Sequence, residues 1–181
     1  MADSPIEKRF SFAFYFETLK SVLVGPGDFF ESLPKSPGFE KPFAFLLVSS
    51  LLHAALCLLL IPSLLWWAMV ILTNALISPM IAAAAGYGLI RGVTRQQVPV
   101  NEVFAIYAYA IGTTHLISWI PMANWIAEPW WWVLIGTGMV RRFRISGFQA
   151  LFIIGLSIVL IRLFFFILTP LTLEMKSWYV S

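Results

Sequence analysis

Between Lys41 and Arg91 the chain carries no charged residue. About 20 apolar residues suffice to cross a hydrocarbon layer of ~30 Å, so this stretch predicts two membrane-spanning helices. The first covers about residues 42–61 and ends at Pro62-Ser63, a breaker pair that suits a tight hairpin. The second covers about residues 64–90. It is over-long, and Pro79 inside it predicts a kink or break. After the polar loop from Arg91 to Glu102 come three more apolar runs, at about residues 103–120, 122–140 and 147–169. Pro121 closes the first of them, Glu128-Pro129 interrupts the start of the next, and Arg141-Arg142-Phe143-Arg144 separates the last two. The pattern predicts an all-α integral membrane protein whose five transmembrane helices occupy residues 42–169, followed by a tail at 170–181.

Upstream, residues 1–41 read differently. Phe12, Tyr15, Phe16, Leu19, Val22 and Leu23 recur at helical spacing with Glu17, Lys20 and Ser21 between them. That spacing predicts an amphipathic helix over about residues 10–24, ended by Gly25-Pro26-Gly27. Asp28 is a suitable N-cap for a second, short helix over 29–33, stopped before Pro34. The first helix either lies in the headgroup layer or packs under the bundle as a cap.

Composition agrees with the pattern. Of 181 residues, 60% are apolar and 12% charged, against ~45–50% and ~25% in soluble domains. Lys and Arg set the sidedness, because cytoplasmic loops carry the excess of positive charge. Of the twelve, Lys8, Arg9, Lys20, Lys35, Lys41, Arg91, Arg95, Arg141, Arg142 and Arg144 fall on one side of the five-span layout, leaving Arg162 in a span and Lys176 in the tail. The N-terminus is therefore expected in the cytoplasm and the C-terminus outside. Trp66, Trp67, Trp119, Trp125, Trp130, Trp131, Trp132 and Trp178 all fall near span ends assigned to the outside, where indole suits the headgroup boundary.

The net charge of +3 does not indicate nucleic acid, since the bases flank apolar spans. The expected surroundings are the lipid bilayer, together with further copies of the chain or other membrane proteins. A lone cysteine, Cys57, reads as a small buried hydrophobe and forms no intrachain disulfide. Mixed charges in residues 1–9 speak against a cleavable leader. No cofactor or metal is expected, and neither a Gly-x-Ser-x-Gly elbow nor a His-Glu-x-x-His helix occurs, so an enzyme is not expected.

Polar groups are costly inside lipid, which makes them the candidate functional residues. His53 and Asn74 flank the Pro62 hairpin at similar depth and are placed to hydrogen-bond across it, as structural glue or as a solute or proton site. Thr113, Thr114 and His115 lie in the outer half of the third span, Arg162 in the outer half of the fifth, and Glu128 near the outer boundary. Two readings stand: an inward cluster forming an anion or proton site, or an Arg162 that snorkels outward beside a solvated Glu128. Gly86-Tyr87-Gly88 follows an alanine run instead of Thr-Val, so Ala82 and Gly86, with the pair Ala84 and Gly88, are expected to be small-residue helix-packing positions.

Three segments carry a family resemblance. They are Leu23-Val-Gly-Pro-Gly-Asp-Phe-Phe-Glu-Ser-Leu-Pro34; Val100-Asn-Glu-Val-Phe104 with Tyr107-Ala-Tyr-Ala110 and Ile117-Ser-Trp-Ile-Pro121; and Leu134–Arg144 followed by Ser146-Gly-Phe-Gln-Ala-Leu151. Over roughly residues 16–165 the chain resembles the bacterial Yip-domain (Ypt-interacting protein) family of five-span membrane proteins. The Asp-Leu-Tyr-Gly-Pro motif of eukaryotic members, which bind Rab-type GTPases, is missing, and Thr114 stands where the third span of the family usually has a proline. The resemblance implies a protein of a bacterial cytoplasmic membrane. Its expected role is non-enzymatic: organising or shaping membrane, or scaffolding membrane partners. The alternative is a small oligomeric transporter or channel using the intramembrane polar residues.

Overall fold

A computed structural model describes the backbone of residues 11–60 and 65–180, with side chains at 60, 65–66, 124, 164–165 and 167–180 left aside. The Pro62-Ser63 hairpin and the side chains of Lys8, Arg9, Trp66, Lys176 and Trp178 lie outside the described residues. Seven helices and no strand occur among those described: α1 Phe12–Val24, α2 Pro26–Ser32, α3 Glu40–Leu60, α4 Leu65–Thr94, α5 Val100–Ser118, α6 Asn124–Phe143 and α7 Gly147–Val180. A helix thus falls on each of the five apolar runs.

Two of them, over Glu40–Leu59 and Trp67–Thr94, are long and apolar enough to cross a membrane. Only 33% and 22% of their most apolar stretches are buried within the protein. A core helix of a soluble protein would be mostly buried, so these two face an apolar surrounding outside the chain. The other extreme is α5, in which every residue from Glu102 to Thr114 is buried. It packs against α1, α3, α4 and α6, while α7 leans on α4 and α6. A helix walled by protein can carry Glu, Thr and Tyr at little cost, which suits the buried Glu102, Tyr107, Tyr109, Thr113 and Thr114 of α5.

Of the kink or break expected at Pro79, the break does not occur. Pro79 lies inside α4 and Pro129 inside α6, yet both helices continue through them without a break. Neighbouring helices at membrane depth tolerate the lost backbone bond. The short helix α2 starts at Pro26, not at Asp28. Pro at a first helical position gives up an N–H that has no intrahelical partner anyway. At the other end α7 stays helical to Val180, so residues 170–180 extend a helix.

Small residues let the helices approach. A Cβ on Gly86 would stand 2.2 Å from the Tyr107 hydroxyl oxygen, and one on Gly138 would stand 2.7 Å from Ile106. Ala82 is buried on the same face as Gly86. The second expected pair fails: Ala84 and Gly88 are exposed, and a Cβ on Gly88 would meet nothing within 4 Å. Residues two apart on a helix point about 200° from each other at 3.6 residues per turn, so both pairs cannot face α5.

Candidate functional site

The C-terminal halves of α3 and α5 and the N-terminal halves of α4 and α6 enclose a cavity of about 450 Å³. His53 and Cys57 line it from α3, Asn74 and Ser78 from α4, Thr114, His115 and Ser118 from α5, and Glu128 and Trp131 from α6. The spacing on α5 is what a helix needs, since positions 111, 114, 115 and 118 share one face.

The two imidazoles stack, with ring centroids 5.2 Å apart and planes 24° from parallel. His53 Nδ1 lies 3.2 Å from the carbonyl oxygen of His115 and 3.1 Å from Ser118 Oγ. Its Nε2 lies 3.6 Å from Cys57 Sγ, and His115 Nδ1 lies 3.4 Å from Ser50 Oγ. The hydroxyls of Thr113 and Thr114 return to their own helix, donating to the carbonyls of Tyr109 and Ile111. Trp131 Nε1 is buried without a partner among the described residues. The wall therefore offers one indole donor, two imidazoles and an amide, set among Ile71, Ala75 and Ile111.

His53, Asn74, Thr114, His115 and Glu128 thus share one cavity, although the pairings differ from expectation. The bonds of His53 go to His115 and Ser118 on α5 and to Cys57 on its own helix, and none to Asn74 is among them. Arg162 Nη2 donates to Glu128 Oε1 at 2.8 Å, but the Arg162 side chain is 71% exposed and Glu128 47%. The ion pair sits on the outer rim. Arg162 does not face the bundle and does not reach His115 or the threonines, whose own partners are within α3 and α5. Cys57 is half-buried in the cavity wall. No group of three or more His, Cys, Asp or Glu among the described residues is placed to hold a metal ion.

On the opposite side of the cavity from the rim, the interior is filled by aromatic rings. Tyr15 meets Phe45 at 4.9 Å, Phe45 meets Tyr109 at 5.2 Å, and Tyr109 meets Phe29 at 5.1 Å. Tyr15 of α1 also shares a hydrogen bond of 3.0 Å with Ser49 of α3. Burial pushes the Tyr15 phenol above its ordinary pKa, with the Ser49 bond pulling weakly the other way, so the phenol stays protonated.

Below these rings sits a second polar assembly that residue spacing did not reveal. Arg142 Nε donates to Glu102 Oε2 at 2.7 Å, and both side chains are about nine-tenths buried. The same guanidinium donates to the carbonyls of Leu33 and Pro34. Glu102 Oε1 accepts from the Ser36 amide at 3.1 Å, and Asn101 Nδ2 donates to the Pro37 carbonyl. Residues 33–37, which join α2 to α3, are thereby strapped to the ends of α5 and α6.

A family model described as the Yip1 domain matches residues 20–169, most of the chain. The chain belongs to the Yip1 domain family. The matched span of this Yip1 domain takes in the strap, the cavity and all five long helices. Family membership and the two apolar helices together point to a membrane protein. No curated protein and no solved structure matches the chain.

Proposed function

We propose that this Yip1 domain is a non-enzymatic five-span protein of a bacterial cytoplasmic membrane, N-terminus inside and C-terminus outside, that organises or shapes the bilayer or scaffolds membrane partners. The observation that carries the reading is the faceting of α1. Phe14, Tyr15, Thr18 and Val22 are buried against the bundle, while Phe12, Phe16 and Leu23 form an adjacent apolar stripe that is exposed among the described residues. Glu17, Lys20 and Ser21 take the third face. A helix clamped to the bundle on one side and apolar on the next suits the boundary between acyl chains and headgroups. The strap of Arg142 and Glu102 fixes its height. Lys41, whose Nζ lies 5.9 Å from the Phe14 ring centroid, stands at the same end. The sidedness is supported by the grouping of Arg91, Arg95, Arg141 and Arg144 at the strap end and of Trp119, Trp125, Trp130 and Trp131 at the cavity end.

Reconstitution into liposomes tests it. The protein should alter vesicle size or curvature, and Phe12→Ser, Phe16→Ser and Leu23→Ser together should remove that effect while leaving the bundle folded. An unchanged vesicle population with the unsubstituted protein would end the proposal.

The cavity favours a second reading, a small oligomeric transporter or channel. Its support is the pair of imidazoles and the unpaired Trp131 donor facing one space. The aromatic layer of Phe29, Phe45 and Tyr109 across its floor weighs against an open conduit. Selective solute or ion flux in the same liposomes, lost in His53→Ala with His115→Ala, would put this reading first.

A further inference from the structure

A groove of about 430 Å³ runs between α6 and α7, away from the polar cavity. Gly136, Thr137 and Val140 form one wall, Ala150, Leu151 and Ile154 the other, and Trp132 stands at one end. Arg141 stands at the opposite end. From Arg141 to Trp132 is nine residues along α6, about 14 Å at the helical rise of 1.5 Å. That is close to half of a ~30 Å hydrocarbon layer, the depth of one leaflet.

The section of the groove decides what it takes. A volume of about 430 Å³ along that length is well below the bulk of a helix, which with side chains is ~10–12 Å across. A hydrocarbon chain enters such a slot; a helix would only rest on its rim. The slot closes at Gly136, where a Cβ would stand 3.0 Å from Ile154 Cδ1.

The end of the groove next to the α6–α7 loop is basic, with Arg141 on its wall and Arg144 in the loop. Arg144, in the left-handed region at φ 53°, turns the chain and is exposed. Arg141 reaches Glu31 only at 3.8 Å, with both side chains more than half exposed, a pairing worth little that leaves the guanidinium available. Arg142 is consumed by the strap. Ser146 and Gln149 cap α7 reciprocally, at 3.0 and 3.2 Å, which leaves the amides of Gly147 and Phe148 at the head of a long helix for an anion.

We propose that the α6–α7 groove is a binding site for one anionic phospholipid, with its phosphate held by Arg141, Arg144 and the first amides of α7 and one acyl chain lying along the groove, over the floor that the Gly136–Ile154 contact makes. The placement of the loop at the cytoplasmic headgroups rests on the five-span reading above; the groove and its basic mouth do not.

The test uses the full chain purified in detergent, with lipid binding counted by native mass spectrometry. The probes are phosphatidylglycerol and phosphatidylcholine with identical acyl chains. Phosphatidylglycerol should be retained preferentially. Arg141→Gln with Arg144→Gln should reduce that preference by about fivefold for each arginine removed. Thr137→Trp, which fills the groove from an exposed flank, should lower retention of both lipids, and Arg95→Gln should change neither. Equal retention of the two lipids by the unsubstituted protein, or full retention in Thr137→Trp, would overturn the proposal. So would a loss of self-association in Thr137→Trp without a loss of lipid, since the occupant would then be a second copy. Binding in detergent does not depend on sidedness. A failed topology with intact lipid selectivity would therefore leave the site standing, and the reverse result would remove the site alone.

Discussion

Replacing Arg142 by Leu should unfasten the N-terminal helices while the bundle stays folded. The guanidinium is about nine-tenths buried and serves Glu102 and the carbonyls of Leu33 and Pro34 together. Leucine removes every one of these bonds and leaves the Glu102 carboxylate, itself about nine-tenths buried, with the Ser36 amide and no counter-charge. Breaking a buried pair from one side costs about 3–5 kcal/mol, and single hydrogen bonds to charged groups contribute about 1.5–3 kcal/mol. The lower figure already shifts the strapped–unstrapped equilibrium by about a hundredfold. Glu102→Gln should cost less, about 1–3 kcal/mol, because the amide oxygen still accepts and Arg142 keeps its two carbonyls. The double variant Arg142→Leu with Glu102→Gln should cost less than the sum of the two, since no unpaired charge remains. Hydrogen exchange in detergent reads this directly. Amides of residues 26–37 should lose protection in the order Arg142→Leu, Arg142→Lys, Glu102→Gln, with α3 and α5 little changed. If Arg142→Leu exchanges like the exposed control Arg95→Gln, within about 0.5 kcal/mol, the strap does not hold the N-terminal helices and the reasoning fails.

Other outcomes are equally definite. Topology reporters placed at Ser63, Gln97, Ala123, Ser146 and the C-terminus should read outside, inside, outside, inside, outside; an even number of crossings would refute the layout. Spin labels on α1 should divide into three classes, with Phe12, Phe16 and Leu23 accessible to oxygen in lipid, Glu17 and Lys20 to aqueous relaxation agents, and Val22 to neither. Arg162→Leu should change the unfolding temperature very little, because a pair 71% and 47% exposed contributes about 0–1 kcal/mol; a large loss would mean that Arg162 turns inward. Gly86→Ala should destabilise by about 1–3 kcal/mol through the Tyr107 clash, whereas Gly88→Ala should be neutral or mildly stabilising.

The helical runs were legible because each depends on a property summed over about 20 residues, and a misplaced proline or glutamate barely moves such a sum. Pro79 and Glu128-Pro129 show the limit. Each is a strong local breaker, and each was overridden by packing that a linear reading does not contain. The faces of α1 were half legible. Spacing put Phe12, Phe16, Leu19 and Leu23 on one side, but the side that the protein covers is centred on Phe14, Tyr15, Thr18 and Val22. Periodicity finds an apolar stripe without saying whether lipid or protein lies against it.

The polar residues divide on the same principle. Depth along a span can be counted from sequence, which set His53 level with Asn74 and put Thr114 and His115 further along and Glu128 near a boundary; all five line one cavity. Azimuth around a helix relative to its neighbours cannot be counted, so Arg162 was left open between an inward cluster and an outward reach, and it stands on the rim paired with Glu128. Glu102 and Arg142 were missed for a further reason. They are forty residues apart, and each sat beside a loop where charge reads as solvated and topological. What separates Arg142 from Arg141 and Arg144 is one turn of helix geometry. The middle arginine of the three points back under the bundle at a buried carboxylate, and the two that flank it are left exposed, Arg141 on the wall of the α6–α7 groove and Arg144 in the loop that joins the two helices.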